Sequence, residues 1–111
     1  MNRRTLLTAT ALLAAPAIAH AQSWPTRPVR VVEPGLPGGG NDTTIRLFAP
    51  HLERALGQAF VVENRAGAGG RLGVENVFRS APDGYSLLIG NAGSNGINAA
   101  LYRDLPYNLE T

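Results

Sequence analysis

The sequence contains no cysteine and no lysine. Without cysteine there are no disulfides, no thiol-based metal or redox sites and no lipoprotein anchor, which needs a cysteine after the cleavage site. Without lysine there is no P-loop, whose phosphate cradle requires that side chain after its glycines. Histidine occurs only as His20 and His51, and one histidine beyond the leader cannot build a metal site unaided. Positive charge is also scarcer than the formal +2 suggests. Arg3 and Arg4 lie in the first segment, and the rest balances eight arginines against eight acids. A neutral chain with dispersed arginines lacks the electrostatic footprint of a nucleic-acid binder.

What is present begins with a leader. Arg3 and Arg4 precede an apolar run over residues 6–18, and Ala19-His20-Ala21 follows as a small-x-small site. A basic start, a short apolar centre and such a site make a secretory signal peptide over residues 1–21. The run is shorter than the ~20 residues a membrane span needs, and no comparable run follows, so residues 22–111 are expected to be soluble. The arginine pair fits the Sec or the twin-arginine route.

The remainder alternates strands and helices. Residues 28–33 (PVRVVE) read as a first strand and residues 59–63 (AFVVE) as a second. Residues 85–89 (YSLLI) read as a third. Between the first two, Ile45, Phe48, Ala49, Leu52 and Leu56 form one helical face, with Asn41 or Asp42 as N-cap and Gly57 as the stop. Pro50 should kink this helix without dividing it, because the stripe stays in phase through it. Leu72, Val74, Val77 and Phe78 imply a shorter second helix, and Ala81-Pro82-Asp83-Gly84 a turn. A β-α-β-α-β order predicts right-handed crossovers and a parallel sheet. Three glycine-rich loops, over residues 34–40, 64–70 and 90–96, then follow the carboxyl ends of the strands. Ligands bind at that edge in open α/β sheets.

The first loop is the best candidate site. Gly38, Gly39 and Gly40 let a ligand approach the backbone, and the helix behind them presents free amides and partial positive charge suited to a carboxylate or phosphate. Dinucleotide fingerprints fail, because Thr43 and Leu72 stand where the third glycine belongs. His51 lies off the apolar stripe and reads as a solvated surface residue. Asp42 reads as a helix cap, Asp83 as turn chemistry, and Glu63 with Arg65 as structural partners. Trp24 and Pro25 should pin the N-terminus by packing. Gly93-Ser94-Asn95-Gly96 after a strand comes near a nucleophile elbow, with Ala92 in place of the first glycine, and leaves an α/β hydrolase using Ser94 as an alternative.

Five segments together resemble one family. Trp24-Pro25 through Val31-Val32 is similar to a "YPxKPIRLVV" opening, and Pro37-Gly38-Gly39-Gly40-Asn41-Asp42 to a "PPGGxxD" loop. Residues 61–70 resemble "VVENRPGAGG", with Ala66 for the usual proline, and residues 81–85 resemble "APDGYT". Residues 90–102 resemble "GTSGTxxINPALY", with Asn91 and Ala92 for the usual Thr and Ser. These are the marks of the tripartite tricarboxylate transporter receptor, or Bug, family.

The resemblance implies a periplasmic-binding-protein-like α/β fold of two lobes closing on a small solute, handed on to membrane transporter subunits. It implies a periplasmic, monomeric receptor for a small carboxylate (dicarboxylate, tricarboxylate or amino-acid-like), without enzyme activity or cofactor. Carried over, its ligand contacts fall on Pro37, Gly38, Gly39, Gly40, Asn41 and Asp42, and on Asn91, Ala92, Gly93, Ser94 and Asn95. Family members are longer, so residues 22–111 are expected to be the N-terminal part of the first lobe, with the second missing. A truncated, non-functional product is the other alternative.

Overall fold

In the computed structural model, which describes residues 23–109, the three expected strands form one parallel sheet. Strand β1 (Val29–Glu33) lies at its centre, between β2 (Phe60–Asn64) and β3 (Ser86–Leu88). Val29 pairs with Phe60 and Glu33 with Asn64 on one side, and Arg30 with Ser86 and Val32 with Leu88 on the other. The secretory segment read over residues 1–21 lies outside the described residues.

The sheet's two faces differ in chemistry because side chains alternate along β1. Val29 and Val31 point to one face, where they pack with Phe60 against Ile45, Ala49 and Leu52 of helix α1 (Gly40–Leu56). Each fully buried valine contributes roughly 1.5 kcal/mol or more. Helix α1 is continuous through Pro50 and ends at Gly57, whose φ of 78° is a left-handed stop, with its amide donating to the Glu53 carbonyl. Only part of the expected stripe is covered: Phe48 stays 59% exposed and Leu56 39%.

The opposite face carries Arg30 and Val32, and helix α2 (Arg71–Phe78) packs there with Val74 buried. Arg30 is the polar hub of that face. Its guanidinium donates to Asn76 Oδ1 (2.8 Å) and Ser80 Oγ (2.8 Å). It also reaches Ser86 Oγ (3.1 Å) and Glu63 Oε2 (3.2 Å), so it ties α2 to all three strands. Glu63 is shared with Arg65, as its strand-end position suggested; the two arginines, Arg65 foremost, hold its carboxyl below the usual range. At the start of the described chain, Trp24 packs on the rings of Phe60 (6.4 Å) and Tyr85 (6.1 Å) while remaining partly exposed.

Candidate functional site

The segment after β1 is shaped by two carboxylates. Glu33 ends the strand, is 2% exposed, and accepts the Gly35 amide at 2.6 Å. Asp42, 3% exposed, accepts the Gly38 amide at 2.9 Å. The Gly39 amide donates to the Leu36 carbonyl at 3.2 Å. Two of the three glycine amides expected to await a ligand are therefore used within the loop. The amides of Gly40, Asn41 and Asp42, ahead of the first helical bond from Thr43 N–H to Gly39 C=O, are without a partner among the described residues.

Asp42 is also not the N-cap. Gly39 holds that position with extended backbone and no side chain, while Asp42 sits in the first turn and reaches back to Gly38. Its other oxygen accepts from Arg46 Nε at 2.9 Å and Asn64 Nδ2 at 3.0 Å. The Gly38 amide first, then Asn64 and the Arg46 guanidinium, hold its carboxyl below the ordinary range against the opposing effect of burial. A carboxyl depressed in the folded state stabilises the fold above its unfolded pKa, roughly 4, and loses that contribution as pH falls through the folded value. Asp42→Asn should therefore melt lower than the parent at pH 7, and the gap should close below about pH 4. Melts recorded from pH 7 down to 3 check this, and a gap that stays constant would refute it.

After β3 the structure departs from the expected open loop. Residues Ala92–Ile97 form a π-helical turn that runs into the short helix α3 (Asn98–Leu101). Asn91 caps the turn reciprocally with Ser94: Ser94 N–H donates to Asn91 Oδ1 (2.8 Å), and Asn91 N–H donates to Ser94 Oγ (3.1 Å). The Ser94 hydroxyl donates in turn to Asn95 Oδ1 at 2.7 Å. Ser94 is 2% exposed, so the nucleophile-elbow alternative loses its nucleophile to a buried cap. His51 lies elsewhere, exposed on α1 beside Arg54, and no group of three metal-ligating side chains occurs among the described residues. The Ala92 and Gly93 amides, in the first turn, have no partner among the described residues.

Sheet order brings the two segments together. The chain leaves β1 for one face, where α1 packs, and leaves β3 for the face of α2; these neighbouring strands thus form a topological switch point, where open α/β sheets carry their crevice. Asn41 Nδ2 reaches the Gly90 carbonyl across it at 3.5 Å. The second glycine-rich segment, a 3₁₀ turn over Ala68–Gly70, supports this arrangement from below. Gly69 C=O accepts from the buried Asn98 at 2.8 Å, and a side chain on Gly70 would meet Ser94 Cβ at 3.0 Å.

The expected residues thus divide. Gly40, Asn41, Ala92 and Gly93 bring unpartnered first-turn amides to the carboxyl edge of the sheet, and Asn95 lies over Gly90, where a Cβ would stand 2.2 Å from its Nδ2. Pro37, Gly38, Gly39, Asp42, Asn91 and Ser94 shape the two segments. Glu33, Asn64 and Asn98 were missed: Glu33 and Asn98 are buried polar residues beside glycine segments, and Asn64 is a half-buried donor to Glu33. A cavity lined by Ala99, Tyr102, Arg103, Leu105 and Tyr107 shares no residue with these segments.

Comparison with known proteins places the chain among relatives. The profile of the tripartite tricarboxylate transporter family receptor matches residues 44–111. An Agrobacterium vitis protein encoded in the TAR-I ttuE-ttuC' intergenic region is 47% identical over 111 residues, covering 96% of this chain and 31% of its own length. The Rhodopseudomonas palustris protein Rpa4515, solved with adipate, superposes with a TM-score of 0.75 at 38% identity, covering 80% of this chain and 30% of that one. MatC from Rhodopseudomonas palustris, solved with bound malate, gives a TM-score of 0.73 at 41% identity, with coverages of 78% and 29%. The chain spans about a third of the length of the curated relatives it matches. Among the described residues no helix is long and apolar enough to cross a membrane.

Proposed function

This chain belongs to the tripartite tricarboxylate transporter receptor family, and from that premise we propose that it forms part of a periplasmic receptor for a small carboxylate. The observation that carries the proposal is the pair of helical first turns, at Gly40–Asp42 and at Ala92–Gly93, opening beside one another at the β1/β3 switch point. Amides of this kind carry partial positive charge and suit a carboxylate oxygen without any cationic side chain. The adipate and malate held by two structural relatives support the dicarboxylate class. The protein delivers its solute to membrane transporter subunits and catalyses nothing, in keeping with the burial of the Ser94 hydroxyl in its cap.

The test is a thermal melt of the full-length protein with malate, adipate, tricarboxylates and amino acids in turn. A ligand at ten times its dissociation constant adds about 1.4 kcal/mol, which raises the melting temperature by roughly 3–6 °C. Gly40→Leu should abolish most of that rise. A Cβ there meets nothing within 4 Å, so the first atom of the side chain is accommodated, and the added bulk falls at the residue that begins the first-turn amides. Affinity should fall at least about tenfold. An unchanged affinity would remove the first segment from the site, and a protein that no carboxylate stabilises would refute the ligand class.

A further inference from the structure

Asn64 occupies the end of β2, opposite Glu33 in the register, and its side-chain amide touches three partners on the α1 face. Nδ2 donates to Asp42 Oδ1 at 3.0 Å and to Glu33 Oε2 at 3.3 Å. Oδ1 accepts from the Arg46 guanidinium at 2.8 Å. The orientation of the amide is determined by chemistry: the reverse would set an NH₂ against a guanidinium and an oxygen against two carboxylates.

Each of those carboxylates holds one end of the segment between β1 and α1. Glu33 takes the Gly35 amide and Asp42 the Gly38 amide. Two carboxylates less than 5% exposed repel one another unless a donor stands between them. Asn64 is that donor, and it comes from a different strand.

We propose that Asn64 is a positioning residue of the binding site: by joining Glu33 to Asp42 it fixes the segment over residues 34–39, and with it the placement of the Gly40 and Asn41 amides. The proposal rests on the receptor reading for its purpose, but the clamp itself is measurable without a ligand. Leucine at this position fills similar volume and donates nothing. Aspartate adds a third carboxylate beside Glu33 and Asp42, with Arg46 as the facing cation and Glu63 and Arg65 adjoining in sequence. Like-charge neighbours raise the pKa of such a group, and once protonated it donates a hydrogen bond again.

The experiment is hydrogen exchange on the full-length protein, read as protection factors for the peptide over residues 34–42, with titration of malate and adipate alongside. In Asn64→Leu, protection at Gly35 and Gly38 should fall about tenfold, the equivalent of one hydrogen bond to a charged group. The sheet amides of β1 should keep theirs. Asn64→Asp should show the same loss at pH 7.5 and recover most of it at pH 5, a reversal that a packing defect does not produce. Affinity for whichever dicarboxylate binds the parent should follow the protection factors in both variants. Unchanged protection at Gly35 and Gly38 in Asn64→Leu overturns the clamp. Lost protection with intact affinity overturns the positioning role. A parent protein that binds neither acid tells against the receptor reading, and the clamp is then decided by the protection factors alone.

Discussion

Replacing Gly73 with alanine is expected to destabilise the fold by about 3 kcal/mol, the upper part of the range for overpacked cores. The general expectation has the opposite sign. Gly73 lies within helix α2, where alanine is favoured over glycine by about 1 kcal/mol. Local geometry decides the contest. A Cβ there would stand 2.7 Å from Pro34 Cβ, 2.8 Å from Pro34 Cα and 3.0 Å from the Arg65 carbonyl oxygen. Two of these three atoms are backbone, and Pro34 is itself buried, so neither rotamer change nor side-chain withdrawal relieves the contact. Helix α2 must move away from the sheet. Urea denaturation of the parent and Gly73→Ala proteins measures the difference, and a variant as stable as its parent would show that α2 packs less closely than described.

An effect of similar size is expected at Arg30. Arg30→Met preserves the apolar stem and removes the guanidinium that Asn76, Ser80, Ser86 and Glu63 share. Glu63 retains Arg65, so its charge stays compensated. The amide oxygen of Asn76 and the Ser86 hydroxyl lose a partner in a part-buried setting, at roughly 1–3 kcal/mol for each group left unsatisfied. The total should be about 3 kcal/mol. It should appear as a lowered denaturation midpoint with little change in the slope, since the surface exposed on unfolding is the same. Loss of less than about 0.5 kcal/mol, the range of ordinary surface substitutions, would mean that water replaces the guanidinium.

Both predictions concern residues whose importance periodicity does not reveal, and the contrast with what it does reveal is physical. The strands, the two crossing helices and the parallel order were legible because each rests on local chemistry: β-branched runs, a 3.6-residue stripe, and glycine or proline at the breaks. The position of the candidate site at one edge of the sheet followed from the same order. The conformation after β3 was not legible in this way. Gly90, Gly93 and Gly96 read as breakers, yet the Asn91–Ser94 cap and the support of Gly70 and Asn98 are enough to wind the chain into a π-helical turn. Its local signal, an asparagine followed three residues later by a serine, is a capping pattern that the glycines obscure.

Asp42 illustrates the other limit. Its identity suits a cap, and only the Gly38 amide and the approach of Asn64 from β2 show that it is an internal tie. Glu33 and Asn64 were invisible for the same reason. Acidic residues are almost never fully buried unless paired, and the partner that Glu33 and Asp42 share, Asn64, comes from another strand. Phe48 and Leu56 extend a helical stripe beyond the sheet that covers it, so periodicity alone overstates the core.

The placement of β1 between its two partners has a bearing on how the chain reaches this fold. A polypeptide emerges from its N-terminus, so the middle of the sheet is made before either of its sides. Val29, Val31 and Val32 are available long before Phe60 and Ser86 arrive to pair with them. At ~5–20 residues per second, that delay lasts on the order of several seconds. An unaccompanied apolar strand is an aggregation hazard, and charges within and beside it act as gatekeepers. Arg30 and Glu33 interrupt and terminate this one. The two side chains that tie the opposite faces of the sheet thus also stand where gatekeeper charges are placed.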